Sequence, residues 1–201
     1  MRFLCLHGMG TNAEVFEMQT AALRFELGDQ YTFEFVEGSV PHRKLFTSSK
    51  KTEFYAYYDP SSTASILSAL DSLQDYILDE GPFGGVVGFS QGAALAATLM
   101  IRHAQLNPCD TALLFRCAKG LIDDGGSGPE PQPIHVPTAH IMGAKDESVE
   151  ESNVLAGLCG ERGKVVYDHG GGHEVPRAPK EITLGMAQAV REVIDKANFV
   201  Q

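Results

Sequence analysis

Gly85-Val86-Val87-Gly88-Phe89-Ser90-Gln91-Gly92-Ala93-Ala94-Leu95-Ala96-Ala97 runs from an apolar strand-like segment, through a serine, into an alanine-rich helical one. A serine in such a turn is lifted out of the sheet on a strained backbone, and its neighbours two positions away are pressed together. Only glycine tolerates that approach without a steric penalty, and glycine stands at both 88 and 92. The helix that follows directs its positive dipole end at the hydroxyl. The pattern G-x-S-x-G is common by chance; placed between a strand and a helix it specifies a serine nucleophile.

Outward from this turn, short β-rich runs alternate with helix-length segments. Strands are predicted at Phe3–Leu6, Tyr31–Val36, Gly85–Phe89, Ala112–Cys117, Thr138–Met142 and Lys164–Tyr167. Helical spacing links Val15, Met18, Ala22 and Phe25, then Ile66, Leu70, Leu73 and Ile77, then Ile182, Met186, Ala189 and Val193. Ser148 with Glu151 reads as a capping box opening a helix through Leu158. The alternation predicts an α/β fold with a mostly parallel sheet and helices on both faces. Ligands in such folds bind beyond the carboxyl ends of the strands. Two stretches break the alternation. Residues 37–61 carry Arg43, Lys44, Lys50 and Lys51, then Phe54, Tyr55, Tyr57 and Tyr58, and residues 123–137 are rich in Gly and Pro.

A serine hydroxyl needs a base. Of the seven histidines, His42, His103 and His135 have no catalytic setting, and His140 sits inside a strand. His169 and His173 follow the last strand, where a base belongs; His173 lies deeper in the turn and is the choice. The supporting acid is sought at another strand end, between serine and histidine in chain order. Asp146 fits, after Ile141-Met142 and the turn Gly143-Ala144-Lys145, with Asp123 and Asp124 as rivals. Oxyanion donors are expected at the backbone N–H of Gln91, directly after the serine, and of Met9 in the loop after the first strand. His7 is expected to brace that loop.

A chain of 201 residues suits a single domain, 1–201, with a sizeable core. Its net charge of −10 argues against binding a nucleic-acid backbone, which needs clustered cations. The N-terminal apolar run ends at His7-Gly8, too short for a signal or a membrane span, so a cytoplasmic protein is expected. No C-x-x-C pair occurs among Cys5, Cys109, Cys117 and Cys159, and no metal or organic cofactor is implied.

With these residues in place, the chain resembles the fungal family of serine hydrolases (FSH-type) within the α/β-hydrolase superfamily. The likeness rests on Leu6-His7-Gly8-Met9-Gly10-Thr11-Asn12, on residues 81–96 around the elbow, on His140 to Asp146, and on His169 to Pro176. It implies the α/β-hydrolase fold, and the triad roles for Ser90, Asp146 and His173. Gly84 stands where the family often has an acidic residue. There is no Trp, and Phe54, Tyr55, Tyr57 and Tyr58 occupy a loop region where the family often places one.

Within the family, the opening motif is similar to that of thioesterases of fungal polyketide pathways. The resemblance implies release of a polyketide or fatty acyl chain from an acyl carrier protein. The spacing of the strands leaves little room for a large cap domain, so an open cleft is expected. The aromatic run would form an apolar wall for the acyl chain, and the basic cluster would meet the acidic carrier. The same chemistry serves a carboxylesterase acting on small free esters. A non-catalytic scaffold would have no need of a strained serine.

Overall fold

A computed structural model describes residues 1–42, 53–102, 112–115 and 134–199. In chain order the elements are β1 (Arg2–Leu6), α1 (Ala13–Leu27), β2 (Thr32–Val36), β3 (Val40–Pro41), β4 (Tyr55–Ala56) and α2 (Thr63–Glu80). After them come β5 (Gly85–Phe89), α3 (Gln91–Arg102), β6 (Ala112–Phe115), β7 (Thr138–Met142), α4 (Val149–Gly157), β8 (Lys164–Asp168) and α5 (Lys180–Phe199). His103, Cys109, Cys117, Asp123, Asp124 and the four basic residues Arg43, Lys44, Lys50 and Lys51 lie outside the described residues.

The six predicted strands form one sheet in the order β2-β1-β5-β6-β7-β8, with every neighbouring pair parallel. The sequence reading missed β3 and β4, a two-residue antiparallel ribbon in which Val40 faces Ala56 and Pro41 faces Tyr55. Strand alternation divides the core. Leu4, Leu6 and Val86 join Leu70, Leu73, Leu95 and Leu155 on one face, beneath α2, α3 and α4. Phe3, Cys5 and Val87 join Phe16, Leu23, Met186 and Val190 on the other, beneath α1 and α5.

Two local expectations are corrected. Helix α1 forms, but its core face is Phe16, Thr20, Leu23 and Leu27, while Met18 and Phe25 are 53% and 82% exposed. Both stripes have helical spacing; the sheet beneath chooses the one that reaches Phe35 and Phe89, onto which Phe16 packs. Ser148 is the N-cap of α4, yet its side chain makes no capping bond. Its own N–H donates instead to Asp146 Oδ1 at 2.8 Å, so the carboxylate organises that turn. By contrast, Asn12 caps α1 through Oδ1, which accepts the Val15 N–H at 2.8 Å.

His140 on β7 is buried, with Nε2 3.1 Å from Thr138 Oγ1. Burial, reinforced by the Lys164 charge, lowers its pKa from 6.5 to about 4. Between those values the unfolded chain binds a proton that the folded chain refuses. Stability should therefore fall as pH drops from 6.5 towards 4, by about 3 kcal/mol at most from this group. Urea titrations across that window, in the wild type and His140→Gln, check it: the variant's stability should change less with pH. Equal dependence in both would refute the contribution.

Candidate active site

The sheet order places the site. The chain leaves β1 towards one edge and β5 towards the other, with α1 and α3 on opposite faces. β1 and β5 are adjacent, with Leu6 opposite Gly88, so their carboxyl ends open together at the switch point of the sheet. Ser90 sits there with φ 53°, alone among the described non-glycine residues in having positive φ. A Cβ on Gly92 would stand 2.3 Å from the Leu6 carbonyl oxygen and 2.7 Å from that of His7. Any side chain at 92 would therefore push the elbow off β1. A Cβ on Gly8 would be 3.3 Å from the Ser90 Cβ, which sets the β1 loop directly against the serine.

The strand ends bring Ser90, His173 and Asp146 together. His173 Nε2 lies 3.1 Å from Ser90 Oγ, within reach for taking the hydroxyl proton. On the other side of the ring, Nδ1 faces Asp146 Oδ2 at 3.6 Å, a loose contact of the kind that tightens when substrate binds. The Asp146 side chain is fully buried and that of His173 is 39% exposed, so the pair joins the interior to the site mouth. The Phe89 ring packs against the imidazole, with ring centroids 5.1 Å apart. Proximity of the three groups permits acyl transfer: a hydroxyl to attack, an imidazole to carry the proton, a carboxylate to orient the imidazole.

The acid and histidine loops are fastened to each other. Asp168, at the end of β8, accepts the Ala144 N–H at 2.9 Å and the Gly170 N–H at 2.7 Å on one oxygen. Lys145 N–H donates to the Gly171 carbonyl at 3.0 Å. A Cβ on Gly143 would stand 2.2 Å from that same carbonyl, so the two loops meet closely enough to require glycine. His169 is buried within this junction, its Nδ1 accepting the Gly171 N–H at 3.2 Å. Asp168 and Phe89 were not singled out from the sequence. The signal for Asp168 was present, a carboxylate at the end of the last strand before a glycine turn, but it resembles any solvated charge.

Of the residues read as oxyanion donors, Gln91 follows Ser90 directly, and Met9 follows Gly8, where a Cβ would stand 3.3 Å from the Ser90 Cβ. Among the described residues neither the Met9 N–H nor the Gln91 N–H is engaged by another group. Behind them His7 is fully buried: Nδ1 is 2.7 Å from the Gly8 carbonyl and Nε2 is 2.9 Å from the Gly38 N–H. A neutral ring with its proton on Nδ1 satisfies both contacts. Burial lowers the pKa of His7, which favours that neutral form, although Glu37 Oε1 at 2.9 Å from Nε2 pulls the other way.

Of the four aromatics expected to line the acyl site, two are committed elsewhere. Tyr57 and Tyr58 are 7% and 2% exposed and belong to the core beneath α2 and α3. The Tyr57 hydroxyl accepts the His7 N–H at 3.0 Å and donates to the Val36 carbonyl at 2.7 Å. Rings so enclosed present little surface to an open cleft. Phe54 and Tyr55 are half-buried beside the loop, with the Tyr55 hydroxyl donating to Glu53 at 2.6 Å.

Known proteins resemble this chain in both sequence and fold. Residues 1–183 match the family described as serine hydrolase (FSH1). Esterase FPY3 of Fusarium mangiferae is 45% identical over 98% of both chains. Hydrolase phiM of Talaromyces stipitatus is 30% identical over 99% of this chain and 88% of its own. A carboxylesterase from Mesorhizobium loti superposes with a TM-score of 0.67 at 19% identity, covering 96% of this chain and 88% of that one. A variant of Arabidopsis thaliana SOBER1 gives 0.63 at 15% identity, covering 96% and 100%. The structural neighbours establish the α/β-hydrolase fold, and the sequence relatives go further: the chain belongs to the FSH1 serine hydrolase family and is a hydrolytic enzyme.

Proposed function

We propose that the enzyme hydrolyses acyl esters and thioesters through an acyl-Ser90 intermediate, and that its principal substrate is an acyl chain carried on an acyl carrier protein. The observation that carries the chemistry is the 3.1 Å contact between His173 Nε2 and Ser90 Oγ. His173 takes the hydroxyl proton as Oγ bonds to the carbonyl carbon, and Asp146 holds the imidazolium. The N–H groups of Met9 and Gln91 receive the oxyanion. His173 then protonates the departing sulfur or oxygen, water repeats the attack, and the free acid leaves.

Access supports the carrier-borne substrate. The chain between β6 and Ile134 is residues 116–133, too few for a cap domain when about 50 residues is a practical minimum. His173 and Met9 are exposed at the site, so a bulky carrier can present its acyl group to the serine. The plainer reading, a carboxylesterase for small free esters, is favoured by the name of the 45% identical relative, an esterase.

Charge neutralisation separates the two. Arg43, Lys44, Lys50 and Lys51 stand in one short stretch of a chain with net charge −10. Changing all four to Gln should lower kcat/KM on an acyl-carrier thioester by on the order of 10-fold at low salt, as encounter with the acidic carrier slows. Hydrolysis of a p-nitrophenyl ester should be unchanged. Equal losses on both substrates, or none on either, would remove the carrier from the proposal.

A further inference from the structure

The segment Tyr55–Tyr58 touches both halves of the site from behind. Towards the β1 loop, the Tyr55 carbonyl accepts the Gly10 N–H at 2.9 Å and the Tyr55 N–H donates to Thr11 at 2.7 Å. The Tyr57 hydroxyl accepts the N–H of His7, two residues before Met9. Towards the elbow, the Gln91 side chain clamps the same segment. Its Oε1 accepts the Tyr57 N–H at 2.8 Å and its Nε2 donates to the Tyr58 carbonyl at 2.9 Å. Gln91 is itself 2% exposed, and its amide uses both ends on backbone groups.

Resting on the Ser90 reading above, we infer that Tyr57 and the Gln91 side chain are positioning residues that fix the spacing between the two oxyanion donors. The donors follow separate strands, Met9 in the loop after β1 and Gln91 at the start of α3, and strand pairing of β1 with β5 ends at Leu6 and Gly88, before either donor is reached. Beyond that point the Tyr55–Tyr58 segment joins the two loops by side-chain and main-chain bonds. Its rigidity follows from burial: the Tyr57 ring packs against that of His7, tilted by 32° with centroids 4.7 Å apart, and its hydroxyl has both a donor and an acceptor partner. Desolvation holds the Tyr57 pKa well above 10, so the hydroxyl keeps the proton that it gives to Val36 throughout the working range. Preorganised donors contribute most when the carbonyl oxygen becomes an oxyanion, so loosening them should affect the transition state rather than substrate binding.

Tyr57→Phe tests this, since it deletes one oxygen and retains the ring. Loss of a donor outright costs on the order of 100-fold, so a donor that has drifted should cost roughly 10- to 100-fold in kcat. KM should stay within about twofold, and affinity for an alkyl boronic acid, which forms a tetrahedral adduct on the serine, should fall in proportion to kcat. Thermal melting checks that the variant is folded. Should it not fold, Gln91→Met carries the same expectation, because it releases the clamp while leaving the Gln91 N–H in place. Unchanged kcat, or a rise in KM with kcat and boronate affinity retained as expected of a substrate wall, would overturn the inference. Ser90→Ala measured alongside keeps the two claims apart. An active Ser90→Ala would refute the nucleophile assignment. An inactive Ser90→Ala beside a fully active Tyr57→Phe would refute only the positioning role.

Discussion

Replacing Ser90 with alanine is expected to lower kcat/KM by about 10⁴- to 10⁶-fold while leaving the fold intact. The size follows from the chemistry, because without Oγ there is no acyl-enzyme and only the oxyanion donors and substrate binding remain to assist water. The fold should persist because the hydroxyl has no structural duty that the strands do not already perform. The φ of 53° at position 90 is imposed by β5, α3 and the close packing of Gly92 on β1, and alanine meets the same backbone demand as serine. Melting temperature should therefore shift by no more than about 2–3 °C, as for a small change without a cavity. Steady-state kinetics on a p-nitrophenyl ester, with circular dichroism on the same samples, checks both halves. Loss of activity together with loss of structure would assign Ser90 to the fold and leave its chemistry unsupported.

The two histidines of the last loop should separate by orders of magnitude. His173→Ala is expected to lower kcat by roughly 10³- to 10⁶-fold, since the proton of Ser90 then loses the acceptor that faces it at 3.1 Å. His169→Ala should cost about 10-fold or less, through loosening of the loop that carries His173. The geometry motivates the difference: His173 Nε2 faces Ser90 Oγ, whereas His169 Nδ1 accepts the Gly171 N–H within its own loop. The same assay run on both variants decides it. An inactive His169→Ala beside a nearly normal His173→Ala would reverse the assignment.

What could be read from the chain alone follows from how local each constraint is. The elbow is written in residue types, because a sharp turn at the switch point admits only glycine at positions 88 and 92. Asp146 and His173 could be placed because each follows a strand that is apolar enough to recognise. Where two choices are locally equal, the sequence could not decide. Met18 and Phe25 are as apolar as Phe16 and Leu23, and only the sheet beneath α1 makes one stripe the core. Tyr57 and Tyr58 carry no local mark of burial, since what encloses them comes from β1, the elbow and α2, far away in sequence. Composition marks them as surface for an apolar wall, while their position buries them in the core. Ser148 shows the same limit on a smaller scale: the capping pattern is present, but the Asp146 carboxylate reaches the turn first.

The central claim, that Ser90 is the residue on which the acyl group is carried, is tested most directly by a fluorophosphonate. The reagent bonds covalently to an activated serine oxygen and to little else under mild conditions, so it reports nucleophilicity rather than turnover. Wild-type protein should gain one adduct, and peptide mass mapping should place it on Ser90. Ser90→Ala should gain none, and His173→Ala should label far more slowly. An adduct on another residue, or undiminished labelling of Ser90→Ala, would contradict the account.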